Sequence, residues 1–159
     1  MAKLSAGLLL YRVDGGQLEV LIAHPGGPFW ARKDDGAWSI PKGEYVVDGD
    51  SADDPWAAAQ REFTEELGIA PPDGPRIELG EVRQAGGKVV TVFAVGADLD
   101  VTDARSNTFE MEWPPKSGRM QEFPEIDRVA WVSLEVARVK LLKGQLPILD
   151  RLLVHLESP

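Results

Sequence analysis

Between Pro55 and Leu67 the chain reads Pro-Trp-Ala-Ala-Ala-Gln-Arg-Glu-Phe-Thr-Glu-Glu-Leu, and no other segment restricts the fold as tightly. Asp53 or Asp54 can cap a helix here, Pro55 suits its first turn, and Gly68 suits the position just past its end. Ala59, Phe63 and Leu67 recur every four residues. Helical spacing also stacks Glu62 over Glu66 and sets Glu65 beside them. Like charges at that spacing oppose an isolated helix by roughly 0.2 to 0.5 kcal/mol per pair, so helix stability does not account for them. Mg²⁺ would reverse the sign, because it takes oxygen ligands and typically binds one or two carboxylates together with substrate phosphates. The alternative is a plain solvated face, the usual meaning of a Glu-Glu pair in isolation. Arg61, four residues before Glu65, can hold that carboxylate bidentately or make an ordinary surface ion pair.

Around this helix the pattern is mixed. Leu4 to Val13 and Leu18 to His24 predict two antiparallel strands across Asp14-Gly15-Gly16. Pro25 to Asp35 predicts a surface loop, and its Phe29 and Trp30 suit the wall of a pocket. Arg76 to Gln84 and Lys88 to Val95 predict two more strands across Gly86-Gly87. Asp98 to Phe123 is polar with few periodic apolar positions, and so predicts a long connection that is functional or mobile, a candidate lid. Arg128 to Val132 predicts a last strand, Ser133 a cap for a helix over Leu134 to Leu142, and Pro147 to Leu156 another helix after Gly144. The expected class is α/β, a mixed sheet covered by helices. With 159 residues, 43% of them hydrophobic, and no internal repeat, residues 1–159 are expected to form one domain.

Several functions are disfavoured. The formal charge is −9 and no basic run interrupts it, so polymeric nucleic acid is not an expected partner. There is no cysteine, which removes thiolate zinc sites, disulfides and cysteine nucleophiles. The apolar run Ala6 to Tyr11 is too short to span a bilayer and the start lacks a leader pattern, so a cytoplasmic protein without a membrane partner is expected. Asp48 to Asp54 alternates oxygen ligands imperfectly: Ala52 breaks the series and Ala59 stands where a calcium loop needs its glutamate.

Arg61, Glu62, Phe63, Glu65, Glu66, Gly68 and Ile69 together resemble the second half of the Nudix box, Gly-x5-Glu-x7-Arg-Glu-U-x-Glu-Glu-x-Gly-U, where U is a bulky hydrophobic residue. Gly43, in Pro41-Lys42-Gly43-Glu44, resembles the opening glycine of a box running from 43 to 69. The interval from Gly43 to Arg61 is four residues longer than the pattern, an insertion within Tyr45 to Ala52, and Asp53 or Asp50 stands at the first box glutamate. The resemblance implies an α/β/α sandwich around a mixed β-sheet and a pyrophosphohydrolase. It implies Glu62 and Glu66 as the principal ligands of Mg²⁺, with Mn²⁺ a second candidate. Glu65 assists through metal or water, the Gly43 carbonyl faces the metal, and Arg61 orients the carboxylates. A general base often lies outside the box in this family, and Glu122 and Glu125 are the candidates.

Trp38-Ser39-Ile40-Pro41-Lys42-Gly43 resembles the entry to the box in hydrolases of dinucleoside and diphosphoinositol polyphosphates, which implies a small polyphosphate-bridged substrate, dinucleoside polyphosphates foremost. Lys42 can meet phosphate oxygens, with Arg32 and Lys33 as a cationic rim or as solvated loop charges. Trp30, Trp38, Phe109 and Trp113 are candidates for a stacking platform or for core anchors, Trp38 being the favoured substrate contact. His24-Pro25-Gly26-Gly27 exposes backbone N–H groups, a weak phosphate signal. Two alternatives stay open, a nucleoside triphosphate sanitiser and a non-catalytic nucleotide-binding module, and a homodimer is one candidate assembly.

Overall fold

A computed structural model describes residues 4–46 and 54–157. Strand β1 (Leu4–Asp14) turns into β2 (Gln17–Pro25), and short β3 (Lys42–Glu44) precedes helix α1 (Pro55–Leu67). Then follow β4 (Arg76–Arg83), β5 (Val89–Gly96), β6 (Thr108–Glu112), β7 (Met120–Pro124), β8 (Ile126–Ser133), α2 (Leu134–Lys140) and α3 (Leu146–Glu157). The main sheet has the order β4-β5-β1-β2-β8, with β3 added to β1. Only β1 and β5 run parallel; the other pairs are antiparallel, so the sheet is mixed.

The central strand explains the layering. In β1 the run Leu8, Leu9, Leu10 is fully buried, as expected of a strand covered on both faces. Leu8 and Leu10 point to one side with Leu21, Phe93 and Val95, where Ala58, Ala59, Phe63 and Leu67 of α1 cover them. Leu9 points to the other with Ile22 and Val92, under Ala137 and Leu141 at α2 and Ile148, Leu149 and Leu152 of α3. The result is the expected α/β/α sandwich. No helix among the described residues is long and apolar enough to cross a membrane.

Local chemistry decides the boundaries. Asp14 pairs with Gln17, leaving Gly15 and Gly16 alone in the turn at φ 59° and 80°, values that favour glycine. Helix α1 begins where predicted, with the Asp54 side chain accepting from the Trp56 amide; Asp53, Asp50 and the proposed insertion lie largely outside the described residues. Helix α2 is capped by Ser133 as expected but stops at Lys140, because Leu141 is extended and bridges to Trp38.

The stretch from Asp98 to Phe123 is not one irregular connection. It contains most of a hairpin, β6 against β7, with Phe109 facing Phe123 across it. Apart from half-buried Met111, the other positions of both strands are polar or exposed, so two aromatic residues per hairpin were too few to register as a strand pattern. The hairpin also uses the two glycines of the loop after β2. A Cβ at Gly26 would collide with the Pro124 carbonyl, and one at Gly27 would lie 2.8 Å from Phe109. Gly26 donates its N–H to the Glu125 carbonyl at 2.8 Å, so that amide serves packing and is not free for phosphate.

Candidate active site

Burial of the apolar stripe of α1 fixes the helix about its axis and turns Glu62 and Glu66 toward β3. The two elements approach closely at Gly43, where an added Cβ would collide with the Glu62 carboxylate. Next to it the Lys42 amide donates to Glu66 Oε1 at 3.3 Å. Arg61 pairs with the neighbouring Glu62 at 3.6 Å, whereas a contact with Glu65 was the expectation. A backbone relay brings in a residue remote in sequence. The Asn107 amide donates to the Glu65 carbonyl at 3.0 Å, and the Glu125 amide donates to the Asn107 carbonyl at 2.8 Å. Glu125 is thereby tied to the helix that carries the box carboxylates.

The electrostatics record this crowding. Burial, reinforced by Glu62 and Glu125, pushes the Glu66 carboxyl from its ordinary 4.5 up to about 8, against the pull of the Lys42 amide and ammonium. Burial and then Glu65 raise Glu62, while Arg61 opposes them. Burial and then Glu65 also raise Glu125. Lys42 is shifted the other way, chiefly by burial and secondarily by Lys88, with Glu66, Glu44 and Glu62 opposing.

Clustered carboxylates whose ionisation is penalised are suited to a divalent cation, which would stabilise their charged forms, and the donor set is all oxygen as Mg²⁺ requires. The described side chains do not themselves close a cage of three or more ligands. Mg²⁺ in phosphate chemistry generally keeps several waters and completes its shell with substrate phosphate. Glu62, Glu66, Glu65 and the Gly43 carbonyl would be the residues to hold it.

Glu66, Glu125 and Lys42 line a cavity of about 580 Å³, whose wall also carries Trp30, Lys88 and Lys143. A smaller cavity of about 200 Å³ shares Glu66 and Ile126 with it and holds Arg105, Arg128 and Thr102. The sequence-predicted residues divide accordingly. Trp38 sits in the core, 7% exposed, donating from Nε1 to Asp34 at 2.7 Å. Arg32 is exposed in the loop and lies outside both cavities. Glu122 pairs with Glu110 across the β6–β7 hairpin and is not among the cavity-lining residues. Lys88 and Lys143 gave no signal in the sequence, since each is a single lysine beside a glycine turn.

His24 positions the Trp30 loop. Its fully buried ring lies 2.8 Å from Asp127 Oδ1 through Nδ1 and 2.6 Å from the Lys33 carbonyl through Nε2, so it clasps the loop to β8. His24→Ala would open a void in place of a fully buried ring and release the Lys33 carbonyl, and the expected destabilisation is about 2 to 4 kcal/mol. Urea unfolding should show a lower midpoint at unchanged slope; an unchanged midpoint would refute the clasp.

A family model described as NUDIX domain matches residues 1–152. No curated protein matches the sequence significantly. Among solved structures, the NUDIX domain of Shewanella oneidensis NrtR complexed with ADP ribose is similar with TM-score 0.65 at 16% identity, covering 98% of this chain and 89% of that one. A C. elegans Ap4A hydrolase binary complex is similar with TM-score 0.63 at 23% identity, covering 98% of both chains. The M. smegmatis Nudix hydrolase RenU shares 26% identity at TM-score 0.57, over 98% of this chain and 86% of its own. Divalent cations are typical cofactors of enzymes with this domain, in keeping with the oxygen donors gathered on α1 and β3. The match over 152 residues, together with the box carboxylates brought against Gly43, places the chain in the Nudix family of pyrophosphohydrolases.

Proposed function

We propose that the protein uses Mg²⁺ to hydrolyse a pyrophosphate bond in a small polyphosphate-bridged molecule, with dinucleoside polyphosphates the favoured class. The observation that carries this reading is the meeting of Glu66, Glu125 and Lys42 on one cavity whose wall includes an aromatic ring, Trp30. Glu62 and Glu66 would hold the cation with the Gly43 carbonyl, Glu65 would assist, and Arg61 would orient Glu62. The bound Mg²⁺ supplies neutralisation of phosphate charge and a water of lowered pKa. Glu125, joined to α1 through Asn107, is the base that takes the proton of the attacking water. Lys42 meets phosphate oxygens as a point charge.

Trp30 stacks a nucleobase, a role the sequence shared among four aromatic residues. Its ring already carries Lys33 Nζ at 5.0 Å, a cation able to follow a phosphate chain leaving the base. Base stacking contributes about 1 to 3 kcal/mol, so Trp30→Ala should raise KM for a nucleotide substrate about tenfold.

The deciding experiment incubates the protein with Mg²⁺ and nucleoside triphosphates, dinucleoside polyphosphates, nucleotide sugars or diphosphoinositol phosphates, and separates products by anion exchange. Faster cleavage of dinucleoside polyphosphates is expected. Silence across the panel while Mg²⁺ binds would favour a binding module, and preferred cleavage of triphosphates would favour a pool sanitiser.

A further inference from the structure

We infer that Lys88 and Lys143 form an anion subsite, apart from the carboxylate cluster, that holds additional phosphates of the substrate and so selects for polyphosphate chain length. The inference rests on the reaction proposed above, and it adds two residues and a specificity that the box does not contain.

Three lysines line the larger cavity: Lys42 on β3, Lys88 at the start of β5 and Lys143 in the turn before α3. Several cations elsewhere sit against carboxylates: Arg12 with Glu19 and Asp98, Arg138 with Asp150, Lys140 with Asp34 and Asp35. Among the described residues neither Lys88 nor Lys143 has a carboxylate within ion-pair distance. Unpaired ammonium groups converging on one concavity favour an anion there.

The wall that presents them is rigid. Gln145 is fully buried, and its amide donates to Ser39 Oγ at 2.9 Å and to Gln84 Oε1 at 3.0 Å, while its Oε1 accepts from the Ile40 N–H at 3.0 Å. This one side chain joins the Lys143 turn to the end of β4 and to the chain that leads into Lys42. Gly144 allows the approach, since a Cβ there would lie 2.9 Å from the Arg83 carbonyl. Both lysines are exposed and their ammonium groups move on flexible stems, but their backbones are held on turns joined through Gln145, which keeps both charges within reach of the one cavity.

Chain-length selection follows from this separation. A two-phosphate bridge is used up by the carboxylate cluster and Lys42, whereas a four-phosphate bridge has charge left for Lys88 and Lys143. The test compares dinucleosides bridged by two and by four phosphates with wild-type protein and with the double variant Lys88→Met, Lys143→Met. The expected result is a KM about tenfold higher or more for the four-phosphate substrate and unchanged constants for the two-phosphate one. Calorimetric titration with inorganic tripolyphosphate in EDTA provides a readout independent of turnover: wild type should bind it and the double variant should not. Equal effects on both substrates, or tripolyphosphate binding that survives the double substitution, would overturn the subsite. Loss of tripolyphosphate binding in the variant, with no hydrolysis of any dinucleoside polyphosphate by wild type, would support the subsite and sink the proposed reaction.

Discussion

Glu66→Gln is expected to lower kcat by about a thousandfold or more and, in the absence of metal, to make the protein harder to unfold at alkaline pH. The loss of turnover follows from removing a charged ligand. Metal-centred charge stabilisation supplies several kcal/mol to the transition state, and about 1.4 kcal/mol corresponds to a factor of ten. The gain in stability follows from the site's own electrostatics. Burial raises the Glu66 carboxyl from 4.5 to about 8. In the window between those values the unfolded chain has released the proton and the folded chain still holds it, so stability falls as pH rises. Above the upper value the folded protein contains the ionised, poorly solvated carboxylate, and the full penalty applies. Glutamine cannot ionise and escapes it. In EDTA, thermal unfolding of wild type should therefore decline from pH 5 to pH 8 relative to the variant, and Mg²⁺ should narrow the difference. Normal turnover by Glu66→Gln would remove Glu66 from the metal site; parallel pH profiles would show that its carboxylate is better solvated than its surroundings imply.

Gly43→Ala is expected to lower kcat by about a hundredfold with little change in thermal stability. The methyl group would occupy space now held by the Glu62 carboxylate. That carboxylate is the free end of a flexible side chain, so the fold can yield by swinging it aside. In the proposed mechanism the site cannot yield in the same way, because Glu62 would have to lie beside Glu66 and the Gly43 carbonyl to share one cation. A displacement near 1 Å at a reacting centre lowers rates by about a hundredfold. A variant with normal kcat would show that Glu62 works from another position; one that unfolds would show that the Gly43 contact supports the whole sandwich.

What could be read without coordinates follows from the range of the interactions involved. Helix α1 was legible end to end, because its cap, first-turn proline, apolar stripe and terminal glycine are all local signals. The two hairpins of the main sheet were legible from glycine turns between β-rich runs, and the box identified Glu62, Glu65 and Glu66 because one turn of helix places them together. Short β3 escaped notice, since three residues that become a strand only by pairing with β1 leave no periodicity. The β6–β7 hairpin escaped for a related reason, its stability resting on one aromatic pair and on contacts with Gly26 and Gly27.

The sequence by itself determined the family, the layered α/β class and the carboxylates of the box, all written in adjacent or helically spaced residues. Only the tertiary structure decided which other residues meet them. Glu125 lines the cavity beside Glu66 and Glu122 does not, although only three positions separate them, because Glu125 is hydrogen-bonded into the relay through Asn107 to α1. Trp30 reaches the cavity while Trp38 enters the core, because His24 clasps the loop between them onto β8. Lys88 and Lys143 share a wall because a buried glutamine joins two turns more than fifty positions apart. Each choice depends on packing and hydrogen bonds between segments distant in sequence, whose partners are defined only once the chain has folded.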